Sequence, residues 1–252
     1  MRERFARRYF PRSERVSAVY LAYSLFTPRY RVYRDLNTFD LREDARLGPT
    51  VNARVSRAAS LLGSERDFSS LSAGTGWSFD LADGFQTISA GWAGRVEDGR
   101  LIDEAASVAA YVASPVLARS VRVVADAGAS VRRRDTQNRF FSVGGETALR
   151  GYAIGDFIGR GASMMAHVEV RTLAIPVASL RAGALAFYDV GDAADRAELL
   201  VPHHDVGIGL RVLIPQLNTY VLRFDWAVPL ETTDQVRAGF PGRLSAGFRQ
   251  VF

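Results

Sequence analysis

The chain has 252 residues, long enough for one large β-domain, and it contains no cysteine, which excludes disulfides and thiolate metal sites. All 32 basic residues are arginine and the formal net charge is +5. They are scattered through alternating segments with no recognition helix or RNA-platform motif, so no nucleic-acid partner is expected. No run of 18 apolar residues is present, which excludes a transmembrane helix but not a transmembrane barrel, whose lipid-facing residues are diluted by lumen-facing ones.

In chain order, residues 1–15 hold six arginines (Arg2, Arg4, Arg7, Arg8, Arg12, Arg15) with no apolar stretch behind them, so no signal peptide is visible. This basic segment is expected to be a fragment of an upstream strand or loop. Residues 16–33 predict one long strand bending near Pro28, and 34–49 a polar connection. Period-2 alternation then predicts strands at 50–62, 68–80, 85–96, 104–114 and 119–132. In 119–132, Val121, Val123, Ala125, Ala127, Ala129 and Val131 oppose Arg122, Asp126, Ser130 and Arg132. Further strands are predicted at 162–172, 181–191, 204–214, 219–228 and 243–252, about eleven in all. Short turns (81–84, 115–118, 174–179, 215–217) alternate with longer links (97–103, 134–161, 191–203, 229–242), as periplasmic turns and outside loops do in membrane barrels. The 34–49 connection and the short 63–67 link break that rule.

The stretch 140–161, FFSVGGETALRGYAIGDFIGRG, lacks a strand period, and six of its 22 residues are glycine. At its centre lie Leu149, Arg150, Gly151 and Tyr152. Should this loop fold inward, Arg150 would need carboxylates, because an unpaired buried charge costs several kcal/mol. Glu169 in HVEVR and Asp189 in FYDVG follow at strand spacing, both on the polar face. Tyr152 and Phe157 are candidate packing anchors for the loop.

The ordered set GGETALRGY, the E-x-R strand at Glu169–Arg171, the F-x-D-x-G strand ending at Gly191, and a terminal Phe resembles the C-terminal barrel of the bacterial surface-antigen family. These are outer-membrane β-barrel assembly factors of the BamA and TamA type. The resemblance covers residues 140–252. It implies an all-β, antiparallel transmembrane β-barrel of which this chain is the C-terminal part, eleven of sixteen strands, with five after the loop. It implies that the tetrad sits on a long extracellular loop (134–161) tucked into the lumen, with Arg150 pairing Glu169 and Asp189. It implies that Phe248 and Phe252 form the C-terminal signal for insertion. The family's function is insertion or translocation of proteins at the outer membrane without catalytic residues. The partners implied are outer-membrane lipid, client outer-membrane or secreted proteins, and periplasmic POTRA domains upstream in the full-length chain. Another reading is a barrel that anchors, or forms the exit pore for, an upstream passenger such as a patatin-like lipase domain, or a passive pore.

No enzyme and no cofactor site is indicated. His203, His204 and Asp205 suggest a metal or catalytic group, but neighbours on a strand point to opposite faces and cannot converge on one ion. No serine lies in a nucleophile-elbow context, and no P-loop or dinucleotide fingerprint occurs.

Overall fold

The computed structural model describes residues 10–39, 41–216 and 220–248. Its strands are β1 (Ala18–Phe26), β2 (Arg29–Arg34), β3 (Arg42–Ala58), β4 (Phe68–Leu81), β5 (Gly84–Glu97), β6 (Arg100–Ala113), β7 (Val121–Arg133), β8 (Phe141–Val143), β9 (Phe157–Gly159), β10 (Ala162–Thr172), β11 (Ile175–Val177), β12 (Leu180–Ala194), β13 (His203–Leu213), β14 (Leu222–Pro229) and β15 (Arg243–Phe248). Eleven of them form one antiparallel path, β1-β3-β4-β5-β6-β7-β10-β12-β13-β14-β15, with β2 added beside β3 and β11 beside β12. The small β8–β9 pair stands apart. No helix among the described residues is long and apolar enough to cross a membrane.

Register fixes which residues share a face. Asn52, Gly74, Gly91, Ser107, Ser130 and Ser163 are successive cross-strand partners and lie in one row. Ser78, Thr87, Tyr111, Asp126, His167, Asp189 and Asp205 form another row on the same face. This is the inner face. The outer face carries Trp77, Ile88, Val108, Val168, Tyr188, Ile208 and Phe224, all substantially exposed apolar side chains. Alternation that leaves large apolar residues outward and Gly, Ser and charges inward is the pattern of a wall between lipid and lumen. The β1 end of the sheet is uncovered on both faces, whereas the inner faces of β10, β12, β13 and β14 are buried.

Four expectations need correction. Residues 16–33 are two strands, β1 and β2, broken at Thr27-Pro28 because proline supplies no ladder donor. The 34–49 connection is mostly strand: β3 begins at Arg42, and its first half pairs with β2 from Leu47↔Arg29 to Arg42↔Arg34. That half, Arg42–Leu47, is rich in charged residues and lacks apolar alternation, which disguised it. Gly48 (φ 100°) and Pro49 mark the joint where β3 passes from β2 to β1. The supposed long link 97–103 is a two-residue turn, with Glu97 paired to Arg100. Asp98 and Gly99 both have positive φ (49° and 72°), the geometry that favours Asp-Gly in tight hairpins. Finally, the strand predicted at 50–62 ends at Ala58 and gives way to one 3-10 turn, Ser60–Leu62. The last strand is described to Phe248; Phe252 lies outside the described residues.

Candidate functional site

The segment 134–161 leaves β7 and returns at β10, and it turns into the sheet's concave side. Its stem is the β8–β9 pair, Val143↔Phe157 to Phe141↔Gly159. Between them the chain makes a compact turn, with the Gly145 N–H donating to the carbonyls of Leu149 and Tyr152, both at 3.1 Å. Gly144 and Gly145 adopt φ of 131° and 93°, left-handed geometry that a side chain would resist. Val143, Ala148, Leu149, Tyr152 and Phe157 then form one buried apolar cluster with Ala193. Gly191 allows this packing: a Cβ there would lie 2.9 Å from the Met164 carbonyl and 3.1 Å from Val143 Cγ1.

Arg150 projects from this turn to the inner wall. Its Nε and Nη2 donate to the two oxygens of Asp189, each at 2.7 Å, and its Nη1 donates to Glu169 Oε1 at 2.7 Å. The bidentate fork uses the parallel N–H geometry that only arginine supplies. All three side chains are completely buried. Burial alone would lower the Arg150 pKa, but hydrogen bonding to Asp189 and the charges of Asp189, Glu169 and Asp225 outweigh it and raise it, so the guanidinium stays charged. A wet lumen, which would weaken these bonds, is the natural expectation for a barrel; here the pairing is sealed from solvent.

The pairing extends into a network. His167 Nδ1 lies 2.8 Å from Asp189 Oδ1. Arg171 Nε donates to Glu169 Oε2 at 2.6 Å. Arg211 Nη1 donates to Asp225 Oδ1 at 2.6 Å, and Asp225 Oδ2 lies 3.7 Å from Arg150 Nη1. Charges of both signs alternate through the cluster, which is the condition under which buried ions are tolerated. Phe187 completes it from below: Arg150 Cζ sits 3.4 Å from its ring centroid. Phe187, Asp225, Arg211 and Asp205 are participants that sequence reasoning did not identify. The F-x-D-x-G spacing, which places Phe187 on the same face as Asp189, was the available signal for the first.

The rest of the tetrad is equally fixed. The Gly151 N–H donates to Asp205 Oδ2 at 3.0 Å, and a Cβ on Gly151 would lie 2.8 Å from Asp205 Cβ and 2.9 Å from Pro229 N. The Tyr152 hydroxyl is 2.5 Å from Glu231 Oε2, 2.9 Å from the His204 carbonyl, and accepts the Glu231 N–H at 3.1 Å. Burial and the hydrogen bond to Glu231 raise its pKa above that of an ordinary phenol. Arg243, the first residue of β15, donates to the Tyr152 carbonyl. Leu149 is fully buried.

His203, His204 and Asp205 diverge. His203 stacks on Phe157 with centroids 4.2 Å apart, His204 Nδ1 lies 2.5 Å from the outward Tyr188 hydroxyl, and Asp205 serves Gly151. No group of three or more His, Cys, Asp or Glu suited to a metal occurs among the described residues. Phe248, expected to be part of a C-terminal signal, is an exposed residue at the end of β15, and Phe252 lies outside the described residues.

The chain matches no family model and no curated protein. Among solved structures it is similar to CdiB from Escherichia coli, with a TM-score of 0.56 and 18% identity over 93% of this chain and 44% of the CdiB chain. The chain therefore spans less than half the length of that structure. The likeness is one of fold: this is the antiparallel, all-β architecture of a transmembrane β-barrel.

Proposed function

We propose that the chain is the C-terminal part of a bacterial outer-membrane barrel that inserts or translocates proteins at that membrane, with no catalytic residues of its own. The observation that carries this reading is Arg150, held in the lumen by Asp189 and Glu169 at 2.7 Å from a tetrad of the surface-antigen type. An arginine buried on an inward loop has no use in a passive wall; it immobilises that loop inside the pore. The fold likeness to CdiB from Escherichia coli supports the barrel architecture on which this reading rests. β15 ends the strand path among the described residues, and in this reading a client strand adds to unpaired backbone groups at the edge it presents. In this reading Phe248 and Phe252 belong to the barrel's own insertion signal, and upstream strands and POTRA domains adjoin β1. Residues 10–15 then lie beside the outside loop 134–161: Arg12 N–H donates to the Gln137 carbonyl at 2.8 Å, and Glu14 pairs with Arg95 at 2.8 Å.

The test is silencing of the full-length gene with complementation by wild type, Arg150→Ala or Asp189→Ala. The expected result is that folded outer-membrane or secreted client proteins fall on silencing and are restored by wild type but not by either variant. Unchanged client levels, with loss only of a surface-displayed upstream domain, would replace this reading by that of a membrane anchor or exit pore.

A further inference from the structure

The segment Asp35–Phe39, between β2 and β3, crosses the end of the lumen opposite the tetrad loop. Leu36 packs with Ala113 and Val124 on one side of the curved sheet. Three residues on, Phe39 packs with Leu213 and Val221 on the other side. Two of the four buried apolar clusters among the described residues are thus built by this one turn. The wall is shaped to receive it: a Cβ on Gly183 would lie 2.7 Å from the Phe39 ring.

The turn is rigid by construction. The Glu43 carboxylate accepts the N–H groups of Leu36, Asn37 and Thr38 and the Thr38 hydroxyl, each at 3.0 Å. Arg122 donates to the Arg34 carbonyl at 3.2 Å, and Arg31 pairs with Asp83 at 2.6 Å across the neighbouring hairpin. Arg171 Nη1 donates to the Leu36 carbonyl at 3.4 Å. The same Arg171 holds Glu169, which holds Arg150. One chain of charge-assisted hydrogen bonds therefore runs from the tetrad loop at one end to this turn at the other.

We propose that Asp35–Phe39 is a plug that closes the lumen at the end opposite the tetrad loop, and that Arg150–Glu169–Arg171 latches plug and loop together. A plug must span the mouth, bury apolar side chains against opposed walls and satisfy its own backbone; this turn does all three. A latch must touch both elements through one set of side chains, and Arg171 and Glu169 do. The proposal rests on the barrel fold and not on the transport reading.

The test uses the full-length protein in planar bilayers. Leu36→Ala/Phe39→Ala is expected to raise conductance severalfold, and Glu43→Gln, which leaves the apolar contacts in place, to raise the frequency of open events. Because the chain has no cysteine, Leu36→Cys supplies a single label in it. That buried thiol should react slowly with a water-soluble maleimide, and severalfold faster when Arg150→Ala is added. Wild-type conductance in the folded double variant overturns the plug. Should that variant fail to fold, wild-type behaviour of Glu43→Gln overturns it instead. An unchanged labelling rate in Leu36→Cys/Arg150→Ala overturns the latch. Conductance reads the pore whether or not clients are handled, so either result leaves the transport reading to its own test.

Discussion

Arg150 sits over Phe187, its Cζ 3.4 Å from the ring centroid, while its N–H groups donate to two carboxylates at 2.7 Å. One guanidinium thereby uses both its properties: a cationic face against the π-cloud, and an N–H edge against anions. Lysine has neither the plane nor the fork. We therefore expect Arg150→Lys to behave nearly as badly as Arg150→Ala. Each should release the loop, removing about 3–5 kcal/mol of local stability, the range for breaking one side of a fully buried pair. Limited proteolysis of 134–161 in the folded protein checks this; an Arg150→Lys loop as resistant as wild type would remove the case for the fork.

Phe187→Leu keeps an apolar side chain but removes the ring. The expected loss is about 2 kcal/mol, the scale of a desolvated cation–π contact. A double-mutant cycle with Arg150→Ala should show coupling, because both variants remove the same contact. Strict additivity in urea or thermal unfolding would mean that Phe187 contributes only packing.

Gly151→Val has no room. Its first side-chain carbon would meet Asp205 Cβ at 2.8 Å and the Pro229 nitrogen at 2.9 Å, both fixed on β13 and β14. The loop should be displaced and Arg150 exposed to trypsin, while the strand signal in circular dichroism persists. Gly151→Ala should show a weaker form of the same effect.

Tyr152 gives a pH signature. Its folded pKa is raised, by burial first and by Glu231 second. The stabilisation is therefore complete below the ordinary phenol value of about 10 and is lost as pH rises through the higher folded value. In an ultraviolet tyrosinate titration, the difference between wild type and Tyr152→Phe should be one phenol that ionises above the ordinary phenol value. A difference curve centred on the ordinary value would contradict the burial.

Trp77, Trp92 and Trp226 lie on the outer face by register with Ile88, Ala106 and Ile208. Brominated lipids should quench their fluorescence in the reconstituted full-length protein. Each single Trp→Phe variant should reduce the quenched fraction; a tryptophan indifferent to bromine faces elsewhere.

Much of this architecture was legible because a wall between lipid and lumen enforces strict alternation. The outward valines and alanines of 119–132 followed from that rule; Glu169 and Asp189 were candidates because a buried Arg150 would need carboxylates, while the inward fold of the loop itself was implied only by the family resemblance. The rule fails where its physical cause is missing. Arg42–Leu47 pairs with β2 through a charge-rich segment that carries no alternating pattern. Leu185 and Phe187 face inward and are buried because the loop and its ion network fill the space beside them. A polar-inside expectation does not anticipate apolar residues on that face. Leu36 and Phe39 looked like isolated apolar residues in a polar link, since the surfaces they cover are about 75 to 180 residues away in the chain, a separation that no local pattern encodes. Asp205 was read beside two histidines instead of with its partner Gly151, 54 residues earlier.

The tetrad loop's partners also impose an order of events. Glu169 lies on β10, Asp189 on β12, Asp205 on β13, and Pro229 and Arg243 at the ends of β14 and β15. None of these acceptors, donors and walls is in place until the strands that carry them are side by side. Until then Arg150 has no complete set of anions and stays outside in water, where its charge is cheaply hydrated. Docking of 134–161 is therefore a terminal step of folding, conditional on five correctly ordered strands. It works as a proofreading step, since a barrel with a slipped register would leave the arginine unmatched and the loop undocked.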